Sequence, residues 1–154
     1  LYPPGELVQE QAAAAALYLA RYDVFTPCDA GLGGQPLRVQ RMLDGLQAEG
    51  EAEVLVHWAL AEDIRAMKRV KDAMNAGRPL PMALRENRIW GPKERLFERI
   101  LPRATDAALA RLLQSAHTVD GIVKGLKQPN WPTDNWQALQ RLALQVCRLG
   151  QATR

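Results

Sequence analysis

A chain of 154 residues, 47% hydrophobic and 24% charged, is sized for one compact domain or for a domain with a short appendage, and folding such a chain buries roughly 70% of its unfolded surface, enough for a core without disulfides or metal. Its two cysteines, Cys28 and Cys147, lie far apart and make no ligand pattern, which argues against a disulfide scaffold or a zinc module and gives a reducing, intracellular setting as the expectation. The net charge of +3 conceals an acidic front, with 3 Lys/Arg against 10 Asp/Glu over residues 1–63, and a basic rear, with 17 against 7 over residues 64–154.

Leu1 leads into Pro3-Pro4-Gly5, a loop signal where a domain rarely begins, so the expectation is a piece of a longer protein. Glu6 to about Ala20 is Ala-rich and predicts a helix. Its apolar run is too short for a bilayer, and no signal-peptide layout appears, so no membrane association is expected. A short helical segment is expected over Val24–Leu32, ended by Gly31, Gly33 and Gly34. Pro36 suits the first turn of a helix to about Ala48, closed by Gly50. The longest helix is predicted from about Ala52 to Ala76, with Leu60, Ile64, Met67 and Met74 on one stripe, and Gly77 stops it. Leu80–Leu84 predicts a brief helical turn, and Pro92 opens a helix through Leu101. Thr105 or Asp106 caps the next, with Leu109, Leu112, Ala116, Val119, Val123 and Leu126 spaced inward. After a Pro/Asn/Trp loop over Gln128–Asn135, Thr133 or Asp134 begins the last helix, with Trp136, Leu139, Ala143 and Val146 facing in. Strand signals are nearly absent, and the predicted fold class is all-α, a bundle of six or seven helices.

Ser115, His117 and Asp120 are the residue types of a hydrolytic triad. On one helix, however, positions two apart point about 200° away from each other, so Ser115 and His117 cannot share a proton. His57, between Val56 and Trp58, predicts a packed, hydrogen-bonded histidine. Gly31-Leu32-Gly33-Gly34 lacks the Lys-Ser/Thr of a phosphate loop and reads as a hinge. Adjacent Glu62 and Asp63 read as a solvated face. Neither a catalytic constellation nor a cofactor or metal site is expected. The segment from Arg85 to Arg99 is the most suggestive, because Trp90 in a predicted loop is surrounded by Arg88, Lys93, Arg95 and Arg99. A ring among cations can hold an unpaired base by stacking, worth about 1–3 kcal/mol. The other reading is a tryptophan that plugs the end of the bundle, and the residues alone leave both open. Trp131 is a weaker second candidate.

Several segments in order carry a resemblance: Ala20-Arg21-Tyr22-Asp23-Val24-Phe25 with Asp29-Ala30, Leu43-Asp44-Gly45-Leu46 with Glu49-Gly50-Glu51, Trp58-Ala59-Leu60 with Asp63-Ile64-Arg65, Arg88-Ile89-Trp90, and Asp120 with Lys124-Gly125. Together they resemble the C-terminal part of the bacterial DNA polymerase III delta subunit, a clamp-loader protein. The resemblance implies that residues 1–22 are the tail of a preceding lid-like domain and linker, and that residues 23–154 are the helical collar domain. It implies a non-catalytic oligomerisation role in DNA replication, in a bacterial, cytoplasmic, replisome-associated setting. The expected partners are the gamma or tau and delta-prime subunits, through collar helices. Single-stranded template DNA is a further possible partner, contacted by Trp90, Arg88, Lys93 and Arg95. Contact with the sliding clamp belongs to the family's first domain, which the resemblance does not reach.

Overall fold

The computed structural model describes residues 26–153, which form seven helices and no strand. The expected Glu6–Ala20 helix, the 1–22 segment and the Ala20–Phe25 motif lie outside the described residues. The helices are α1 (Pro27–Leu32), α2 (Pro36–Ala48), α3 (Glu53–Asn75), α4 (Leu80–Glu86), α5 (Pro92–Ile100), α6 (Asp106–Val123) and α7 (Asn135–Ala152). The all-α bundle expected from composition and periodicity is therefore present among the described residues, and no helix there is long and apolar enough to cross a membrane.

Local chemistry sets the helix starts. Thr26 and Asp29 form a reciprocal capping box on α1, with Pro27 at its first position. The Thr105 hydroxyl accepts from the Ala108 amide, and the Asp134 carboxylate accepts from the Gln137 amide, so both expected caps are in place. Five ends share one termination. After α1, α2, α3, α4 and α6 the chain turns through a left-handed residue, whose amide and that of the next residue return to carbonyls of the last turn. Four of those left-handed positions hold glycine (Gly34, Gly50, Gly77, Gly125), and the fifth holds Arg88 at φ 57.

The long α3 packs chiefly against α6, while α7 runs beside α6, α2 and α1, so α3, α6 and α7 share the centre of the core. Leu60, Ile64, Met67 and Val70 from α3, Leu109 and Val119 from α6, and Leu139, Leu142 and Val146 from α7 are buried there. Trp136 is buried as its spacing predicts. The crossing of α1 and α7 is the tightest. A Cβ on Gly150 would fall 2.8 Å from the Leu32 carbonyl carbon, 2.9 Å from the Gly31 carbonyl oxygen, and closer still to the Leu32 carbonyl oxygen. Gly31 likewise abuts the Val146 side chain. The glycines read as a hinge therefore have two uses: Gly31 belongs to α1 and allows the close crossing, and Gly33 and Gly34 end that helix.

Three expectations need correction. Leu126 is 61% exposed rather than inward, because α6 ends at Val123 and Gly125 in the left-handed region redirects the chain. Asp63 is buried rather than solvated. It follows Leu60 by three residues and precedes Met67 by four, so it lies in the same buried stripe, and only Glu62 turns to the surface beside Arg65 and Arg69. The Leu80–Leu84 turn is longer than expected, a helix to Glu86.

Candidate functional site

The expected contact residues do not form one surface. Trp90 follows buried Ile89 and is 64% exposed, so it is no plug for the bundle. Arg85, Arg88 and Arg95, within five residues of it in the chain, are exposed as well. Among the described residues none of these three arginines has an acidic partner. The ring and its neighbours are held by local geometry: α4 ends in a left-handed turn at Arg88, the Ile89 amide returns to the Leu84 carbonyl at 2.9 Å, and Gly91 at φ 71 leads into α5. A left-handed non-glycine residue costs roughly 1–2 kcal/mol. Arg88 bears that cost where four sister turns avoid it with glycine.

Lys93 points the other way. Its ammonium lies 3.0 Å from the Asp63 carboxylate and 3.7 Å from Asp29 Oδ1, with Cys28 alongside. It is a tie among α1, α3 and α5 rather than part of the exposed basic edge. Burial pushes the Asp63 carboxyl up to about 6, against the pull of Lys93. Burial works to lower Lys93, but Asp63 and Asp29 together outweigh it and leave the ammonium above its ordinary value. Burial also pushes the Cys28 thiol well up, with Asp63 adding to the effect, so it stays a protonated thiol. Among the described residues Asp29 Oδ1 has no hydrogen-bond donor and Asp63 Oδ2 faces the Lys93 ammonium at 3.0 Å, so with the Cys28 thiol donating to Asp63 the Lys93 charge is the main compensation for this cluster. The sequence signal that could have found it is an acidic residue inside an apolar stripe, which calls for a buried cation.

His57 also has a partner that sequence reasoning missed. Its Nε2 donates to the Ala116 carbonyl at 2.7 Å, and Nδ1 lies 3.8 Å from Asp120 Oδ1 across a groove between α3 and α6. Burial lowers the His57 pKa, against the Ala116 carbonyl and Asp120. The expected packed, hydrogen-bonded histidine is thus observed. With Nε2–H committed to a main-chain carbonyl and Nδ1 turned towards Asp120, this histidine lacks the arrangement of a His–Asp pair, in which Nδ1–H donates to the acid and Nε2 is free to take a proton. Of the other two triad-type residues on α6, Ser115 does not line this groove, whereas His117 lines it together with His57 and Asp120. Trp131 is half-buried under the Arg141 guanidinium, 5.0 Å from the ring centre, so its face is already occupied by a cation.

One stretch with exposed, uncompensated binding chemistry is therefore Arg85–Arg95, where Arg85, Arg88, Trp90 and Arg95 are exposed while Ile89 and Lys93 turn inward. Comparison with protein-family models, with curated proteins and with solved structures found no match for this chain.

Proposed function

We propose that the chain is a non-catalytic assembly module, the helical collar of a bacterial DNA polymerase III delta subunit, which holds that subunit in the five-membered loader that sets the sliding clamp on primed DNA. The ordered motifs that resemble this family and the all-helical bundle support the reading. The Arg88–Trp90 edge carries it. A fold gains stability by burying tryptophan and by using glycine at a left-handed helix end, and here both gains are forgone within three residues. Recognition of a partner accounts for both departures, since local strain at such a position marks function rather than stability.

In this reading the Trp90 ring stacks on an unpaired base of the template strand, while Arg85, Arg88 and Arg95 meet phosphates. Lys93 fixes the edge to the core rather than touching DNA. The outer helix faces meet gamma or tau on one side and delta-prime on the other, which suits a chain with an acidic and a basic part. The chain should co-elute, at micromolar concentration, with folded C-terminal domains of those partners. Separate elution of partners shown to be folded would overturn the proposal.

A second reading draws on the same edge: an autonomous helical module for single-stranded nucleic acid. It expects the chain alone to bind single-stranded oligonucleotides with affinity that falls as salt rises. Trp90→Ala should weaken that binding by about 1–3 kcal/mol. Oligonucleotide binding without partner assembly would favour this second reading over the first.

A further inference from the structure

The start of α6 lies against the end of α7, so the two helices are antiparallel, and a groove of about 280 Å³ opens between them. Buried Leu112 and Leu149 form its floor, with Ala108, Ala152 and the polar Gln145 also lining it. Arg111 stands on the α6 rim and Arg148 on the α7 rim, both exposed. Neither has a hydrogen bond or an ion pair among the described residues. The helix pair thus leaves a mainly apolar trough bounded on both sides by uncompensated cations.

We propose that this groove is the seat of an amphipathic helix from a partner protein, with apolar anchors flanked on both sides by Asp or Glu. The floor selects the anchors: the lining alanines leave room for one or two branched side chains at i and i+3 or i+4, the spacing by which a helix enters a groove. The rims select the charge. Carboxylates on both flanks of the anchor stripe meet one arginine each, in a fork geometry that suits bidentate contact. A nucleic-acid strand fits less well: Arg111 and Arg148 can each meet a phosphate and Gln145 adds an amide, but the groove between them is lined mainly by Leu and Ala and offers no aromatic face for a base. The identity of the partner as a neighbouring collar helix rests on the proposed function, whereas the chemistry of the seat rests on the groove alone.

The probe is a synthetic helical peptide with leucines at i, i+3 and i+4 and glutamates on both flanks, compared with the same peptide carrying lysines. Fluorescence anisotropy should show the glutamate peptide binding the chain and the lysine peptide binding at least tenfold more weakly. Arg111→Glu/Arg148→Glu should reverse that preference. Ala108→Trp, which fills the groove, should abolish binding of both peptides while leaving thermal unfolding cooperative. Equal binding of the two peptides, no binding of either, or an unchanged preference in the double variant would overturn the proposal. So would displacement of the glutamate peptide by a single-stranded oligonucleotide in a manner dependent on Arg111 and Arg148. The partner assay separates the two proposals. If the chain co-elutes with its partners and the charge-reversed variant does so equally, a neighbouring collar helix is overturned as the occupant of the groove and the collar reading stands. If the chain fails to co-elute yet binds the glutamate peptide through its arginines, the collar reading falls and the groove stands.

Discussion

Gly150→Ala should destabilise the chain even though alanine is the better helix former. Inside a helix the exchange by itself favours the folded state by up to about 1 kcal/mol. Against that stands the α1–α7 crossing, where the new methyl would sit within 3 Å of three main-chain atoms of Gly31 and Leu32. Main-chain atoms cannot rotate away as a side chain does, so α1 must move. It is held by the Arg99 guanidinium, which donates to the Leu32 carbonyl at 2.7 Å and to the Gly150 carbonyl at 3.4 Å. Overpacking of this kind costs about 1–3 kcal/mol, and an obstacle made of backbone puts it at the upper end. The net loss is about 2 kcal/mol, a fall in Tm of roughly 4–8 °C for a chain of this size. Gly45→Ala is the control, because Gly45 lies within α2 with nothing within 4 Å of the added Cβ. It should stabilise by about 0.5–1 kcal/mol. Thermal and urea unfolding followed by circular dichroism would measure both. A Gly150→Ala chain that melts at or above the wild-type temperature would refute the close-crossing argument.

Arg88→Gly should raise stability by about 1 kcal/mol, since it removes left-handed strain, and should weaken oligonucleotide binding. A variant that gains stability and binds as before would show that Arg88 has no contact role. Lys93→Met leaves Asp63 and Asp29 buried without their cation, at a cost of about 3 kcal/mol near neutral pH. For Asp63 the folded value of about 6 lies above the unfolded value of about 3.9, so its contribution to stability is fullest below about pH 4 and is lost as pH rises through about 6. Without Lys93 the Asp63 carboxyl is pushed higher still, so the Lys93→Met penalty should shrink as pH falls from neutral towards about 6 and level off below it. Urea midpoints showing a penalty constant with pH from neutral to about 6 would contradict it. His57 acts with the opposite sign. Its folded pKa is lowered by burial, so its contribution is present above the unfolded value of about 6.5 and is lost as pH falls below it. His57→Gln should flatten the acid side of the stability profile, and a profile as steep as wild type would assign the acid sensitivity elsewhere.

Helix positions were legible because their signals are local. Pro36 and Pro92 at first turns, Asp134 and Thr105 as caps, and the Leu60–Ile64–Met67 stripe each act within one or two turns, and each stands where periodicity and capping chemistry put it. What escaped depends on pairs distant in the chain. Asp63 sits in an apolar stripe, which calls for a buried cation, but nothing in a single sequence says that Lys93, from another helix, supplies it. His57 with Asp120 is hidden in the same way, across α3 and α6. The Arg88 conformation was beyond reach for another reason: the turn after α4 is the one that glycine makes elsewhere in the chain, and an arginine there gives no turn signal. The basic flanks of Trp90 were visible, but its exposure was not, because it is set by Ile89 taking the inward position at that helix end.

The excess of positive charge in the rear of the chain suggests one broad basic face, but the packing divides it. Lys71 donates to the Leu101 carbonyl at 2.8 Å, Arg99 to that of Leu32 and Arg103 to that of Thr153, so cations stand against carbonyls left over at the ends of α5, α1 and α7. Those positions are electrostatically negative, and cations there stabilise the fold rather than a ligand. Lys93 is consumed in the core, and Lys68, Arg69, Arg78 and Lys124 in surface pairs with Asp72, Glu62, Glu86 and Asp120. Among the arginines left without a carboxylate in the described residues, Arg85, Arg88 and Arg95 flank Trp90 in the chain, while Arg111 and Arg148 line the α6–α7 groove. The two sets sit on different elements beside different apolar surfaces, one a ring and one a trough. Charge reversal in one set should therefore leave the ligand of the other bound. A loss of both ligands on reversing Arg111 and Arg148, with the fold intact, would mean that the two patches belong to a single surface.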